Sequence, residues 1–181
     1  MIKQLLIALS FTFIFCNSHA QFDTAFAKAS IRRCADSLAF GFKTKNWELF
    51  TRYSYPALIG SLGGKNEFMK YMALMFSQVP DSAWKQYEPG RILQVIKTGG
   101  DLQTIVELKS IIEWQGSRIS TVTHLIGESW DGGLFWTFFD CEGDRTSALL
   151  FKPDLSEQLI IPVKIEKAEP VSSLPKTKNN P

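Results

Sequence analysis

Acid–base, nucleophilic and metal chemistry each need particular side chains held close together. Beyond residue 20 this sequence offers one histidine, His124, and two cysteines, Cys34 and Cys141. One histidine without a spaced Cys/His set makes no zinc site. No Gly-x-Ser-x-Gly elbow is present, and Gly99-Gly100 separates two strand-like runs instead of opening a helix onto a phosphate. The residues therefore imply no metal and no cofactor, and no catalytic constellation. His124 stands as the lone catalytic candidate.

Binding chemistry has more material. Aromatic residues make up 13% of the chain, enough to line a pocket as well as fill a core. Trp47, Tyr53, Tyr55, Trp114 and Trp136 are the candidates for holding an apolar or ring-bearing ligand, with ordinary core packing as the competing reading. Ser129-Trp130-Asp131-Gly132-Gly133-Leu134-Phe135-Trp136 follows most of the Asp-box pattern, with Phe135 in place of threonine. That pattern recurs once per blade in sialidase propellers, and a single copy builds no propeller. Its expected role is local: Asp131 accepts turn amides, the glycines supply positive φ, and Trp136 packs.

The elements that would position these residues are legible from periodicity. Residues 22–45 have helical spacing, with Asp23 or Thr24 as cap and Gly41 weakening the last turn. Residues 46–53 predict a short helix capped by Asn46 and ended by Pro56. A turn at Ser61–Gly64 leads to a helix from Lys65 to about Ser77, striped by Phe68, Met72, Met75 and Phe76. From Gly90 the period falls to two. Arg91–Thr98, Leu102–Trp114, Arg118–Trp130 and Leu134–Cys141 read as strands joined by short glycine turns, an antiparallel meander. Helices followed by strands indicate an α+β fold. Arg145–Phe151 and Leu159–Val163 read as further extended pieces.

With Gly116-Ser117 as the hairpin turn, His124 falls opposite Lys109, with Glu107 one diagonal away. Their face also carries Ile105, Ile111, Val122 and Ile126. The other face, with Val106, Leu108, Ile112 and Leu125, is drier and is expected under the helices. His124 is then expected on the outer face, near water or a partner subunit.

Residues 1–20 resemble a secretory signal: Lys3, an apolar run from Leu5 through Phe15, then Ser18-His19-Ala20 before a cut. The run is too short to span a membrane, and no later stretch is long and apolar enough. Phe15 before Cys16 is too large for a lipid-attachment site. An exported chain, periplasmic or extracellular, allows a Cys34–Cys141 disulfide, with two free thiols as the alternative. One domain is expected over residues 21–163, then a disordered tail over 164–181 rich in Lys, Glu, Pro, Ser and Asn. The net charge of +2 leaves no electrostatic footprint for nucleic acid.

Lys45-Asn46-Trp47-Glu48 before Tyr53-Ser54-Tyr55-Pro56, Gly63-Gly64-Lys65 opening a helix, and Ser129–Gly133 before Phe135-Trp136 together resemble small secreted members of the NTF2-like superfamily, also called SnoaL-like or cystatin-like. The resemblance implies a cone-shaped pocket between helices and a curved sheet. It does not fix an activity, since the superfamily holds both enzymes and binding domains. The expectation is a domain that binds a small apolar ligand or a protein partner, with homodimerisation through the outer sheet face. The alternative is a small lyase, isomerase or cyclase using a carboxylate or His124 inside the cone.

Overall fold

The computed structural model describes residues 23–171. Residues 1–20, expected to be an export signal, lie outside them, and Cys16 with them. Four helices come first: α1 (Thr24–Lys43), α2 (Trp47–Tyr53), α3 (Pro56–Ser61) and α4 (Lys65–Met75). Asp23 caps α1 by accepting from the backbone N–H groups of Ala25 and Phe26 at 2.9 and 3.0 Å. Asn46 caps α2 in the same way through Leu49 N–H, at 3.0 Å. Pro56 ends α2 as expected, yet it also opens α3, where its missing N–H costs nothing. Gly41 does more than weaken a turn. A Cβ there would lie 2.7 Å from the Phe50 nitrogen, so glycine lets α2 pack against α1.

The strands β1 (Trp84–Lys97), β2 (Leu102–Trp114), β3 (Ser117–Ser129) and β4 (Thr137–Asp140) form an antiparallel meander in sequence order. The fold is α+β, with helices preceding an open antiparallel sheet. β1 begins seven residues earlier than expected. Pro89 and Gly90 look like strand breakers, but β1 is an edge strand and its register shifts between Pro89 and Ile92. A proline needs no ladder partner at an edge bulge.

The β2–β3 hairpin turns at Gln115-Gly116, so His124 faces Glu107 and not Lys109. The slip is two residues, which preserves every side chain's face. The drier face lies under α1, as expected: Val106, Leu108 and Leu125 pack with Ala27, Ile31 and Leu38.

The outer face is not open. After β4 the chain forms α5 (Arg145–Phe151), crosses that face, and ends in β5 (Ile165–Pro170), which pairs with β3 beside β4. Ile105, Ile126 and Phe139 are buried there against Ala148, Leu155 and Leu159. Residues 145–151 are helical and not extended, because the Asp144 carboxylate caps Thr146 and Ser147 N–H at 3.0 and 3.1 Å. Within the stretch expected to be a disordered tail, 165–170 is a strand. Its side chains are exposed, so composition hides it; the backbone ladder to Ser117–Val122 holds it.

The two cysteines are free and buried. Cys34 belongs to the core under α1, and Cys141 to the core on the outer face. The sheet lies between them, which rules out the disulfide that the sequence left open.

Candidate functional site

The five aromatic candidates do not converge. Trp136 is fully buried, its indole N–H bonded to Ser30 Oγ at 2.9 Å. Trp47 packs in an aromatic cluster with Phe42, Phe50 and Phe76. Tyr53 lies against Phe135, with ring centres 5.2 Å apart. Trp114 is exposed at the end of β2. Tyr55 is buried on the outer face against Phe139, and burial with the neighbouring Glu128 charge raises its phenol pKa to about 12.

The Asp-box segment is a self-contained turn. Asp131 Oδ1 accepts from Ser129 Oγ at 2.8 Å and from the N–H groups of Leu134 and Phe135, both at 3.0 Å. Gly132 and Gly133 have φ of 75° and 95°. The segment aims Trp136 into the core and leaves Trp130 and Leu134 exposed.

An apolar groove of about 500 Å³ runs between the helices and the sheet, along β4. Phe50 of α2 and Phe68, Met72 and Phe76 of α4 form one wall. Tyr87, Leu125 and Phe138 of the sheet form the other, and Phe151 of α5 closes one end. Tyr71 and Met75, both about half exposed, lie at the rim. Phe42 stacks on Tyr87 at 4.1 Å and fixes that ring from behind. A second hollow, of about 450 Å³, lies over α2 and is lined by Glu48, Arg52 and Lys65 among others. Lys65 and Glu48 pair there at 3.0 Å, leaving a solvated polar surface.

Two carboxylates line the groove, Asp140 and the exposed Glu142, and Glu142 is paired with Lys164. Asp140 follows Phe139 at the end of β4 and faces the helix side, opposite Leu125. Its Oδ1 accepts from Thr123 Oγ and from Glu142 N–H, each at 2.8 Å. Among the described residues no donor bonds its other oxygen. Burial pushes its pKa above the ordinary carboxylate range, against the pull of those two bonds. Burial, then the Asp140 charge, pushes the nearby Tyr87 phenol well above its ordinary value.

His124 is not in this groove. It lies on the outer face beneath the crossing chain, buried, with Nδ1 unpartnered. Burial holds its pKa below 6.5, although Glu107, Asp140 and the Pro162 backbone favour the charged ring. Glu107, its cross-strand partner, is engaged by Arg91 at 2.6 Å, and hydrogen bonds from Arg91 bring the carboxyl down to about 2. A general base needs a route to substrate, and His124 has none here.

The same face carries a buried charge cluster that sequence reasoning missed. Lys152 is fully buried and bonds Asp101 at 2.9 Å, Asp154 at 3.0 Å, and Glu128. Trp130 N–H donates to Glu128 at 2.8 Å, and Gln103 links Asp101 to the backbone N–H of Ser156. Burial and the adjoining Asp101 carboxyl raise Glu128. Burial would also raise Asp101, but bonds from Glu128, Thr98 and Lys152 hold it well below the ordinary range. Oxygens of Asp101, Glu128 and Asp154 lie within 4.8 Å of one another, a spacing that suits a cation. The cation they hold is the Lys152 ammonium. The cluster fastens the crossing segment to the sheet.

No described helix is long and apolar enough to cross a membrane. No protein-family profile, curated protein or solved structure matches this chain.

Proposed function

We propose that the chain is an exported, NTF2-like binding domain that takes a small apolar, ring-bearing ligand in the groove between α4 and β4. One observation carries the reading: about 500 Å³ of aromatic-walled space holds a carboxylate with one oxygen left free. Ligand pockets of this volume are mostly apolar, with a few polar groups fixing orientation.

Native mass spectrometry of protein from its own host tests this. The expected spectrum shows a small organic molecule released on unfolding, and lost when Met72→Trp fills the groove. A ligand-free mass, together with no binding of small aromatic compounds by calorimetry, overturns the reading.

The raised pKa of Asp140 favours a second reading, a small lyase, isomerase or cyclase with Asp140 as the proton-transferring group. In that case Asp140→Asn keeps ligand affinity and abolishes turnover. Binding and turnover that both survive Asp140→Asn would exclude it.

A further inference from the structure

The groove's lining is unbalanced in charge. Eight of its lining residues are aromatic, two are the carboxylates Asp140 and Glu142, and none is a lysine or arginine. Lys164, the cation that acts on Asp140, is committed elsewhere, to Glu142 at 2.5 Å and to Glu166 at 3.0 Å. Glu142 is thus neutralised at the surface, and Asp140 is left as the unpaired anion of the groove.

We infer that the groove selects a positively charged ligand, an apolar body bearing an ammonium group, with the ammonium on Asp140 and the body among the aromatic rings. The inference rests on the groove being a ligand site. Three features of the lining support the charge. Asp140 Oδ1 is fixed by Thr123 and the Glu142 amide, so the free oxygen is held in place before a ligand arrives. An ammonium bonded to that oxygen would supply the charge partner that the fold omits. Tyr87 and Phe138 lie on the same face of the sheet as Asp140, and aromatic faces attract cations. An anionic ligand would meet like charge with no cation to receive it, so carboxylic acids of the same shape are excluded.

Calorimetry on the full chain with three matched probes tests this: phenylbutylammonium, phenylbutanol and phenylbutyrate. The expected order is ammonium tightest, by about tenfold or more over the alcohol, and carboxylate weakest. In Asp140→Asn the ammonium should fall to the level of the alcohol while the alcohol's affinity is kept. The wild-type ranking needs no variant, so the test survives a poorly folded Asp140→Asn. Equal binding of ammonium and alcohol, or tightest binding of the carboxylate, overturns the charge selection and leaves the groove reading standing. Failure of all three probes overturns both.

Discussion

The two faces of one sheet hold carboxylates in opposite ways. On the outer face Asp101 and Glu128 are closed in with Lys152, Trp130, Gln103 and Thr98, which supply a shared ammonium and a set of hydrogen bonds. On the helix face Asp140 has two donors on one oxygen and no charge partner in the groove wall. The first arrangement holds the crossing chain in place. The second leaves bonding capacity unused beside an open cavity. Buried charge by itself therefore does not mark a site; the proposed site rests instead on a carboxylate that is incompletely satisfied and borders space.

The largest expected effect comes from breaking the satisfied side. Lys152→Met removes the ammonium and leaves Asp101 and Glu128 buried together. Loss of one partner from a buried ion pair costs about 3–5 kcal/mol. Urea unfolding should show a loss of that size, and Asp101→Asn with Glu128→Gln added should recover much of it. Hydrogen exchange should show β5 and residues 152–163 opening first. An unchanged midpoint would mean that the cluster does not fasten the segment.

The next effect separates the faces by pH. His124 is buried under the same segment with its pKa below 6.5, so between 6.5 and its folded value the unfolded chain binds more protons. Its contribution is present above pH 6.5 and is lost as pH falls through that folded value. Stability should decline with acidification in this window, and His124→Gln, which cannot titrate, should flatten the decline. Identical profiles for the two proteins would exclude His124 as its source.

The smallest effect has the opposite sign. Asp140 has a folded pKa above 3.8, so its contribution is present below pH 3.8 and is lost as pH rises through the folded value. Asp140→Asn should match the wild type in strong acid and be modestly more stable near neutrality, by thermal unfolding. A less stable variant at neutral pH would show that the charge is satisfied after all.

Much of the scaffold was legible in the sequence, because local signals carry it. Asp23 and Asn46 cap the helices they were expected to cap, and period-two alternation locates β2 and β3 to within a residue. Face assignment survived the two-residue register slip because alternation depends on parity and not on the turn. The helix at 145–151 was misread although its signal, Asp144 before Thr146 and Ser147, was present; its apolar residues suit a strand equally well.

The groove was not legible. Its lining comes from all five helices and three strands, positions spread from Leu38 to Phe151, and no periodicity links Asp140 to Phe68. Among aromatic residues the sequence favoured large and conspicuous ones, and Trp136 is core, held by Ser30. Nor does composition distinguish a paired carboxylate from an unpaired one. Only packing decides that Lys152 reaches Asp101 and Glu128 while no lysine or arginine lines the groove beside Asp140.

By itself, the sequence determined the types and order of α1, α2, α4 and β1–β4, and which residues of β2 and β3 share a face, since capping and alternation act over a few residues. Tertiary structure alone decided that residues 145–170 cover the outer face, that Cys34 and Cys141 lie on opposite sides of the sheet, and that Asp140 borders open space. These depend on contacts between distant segments, where burial and charge pairing are set by what the fold brings together.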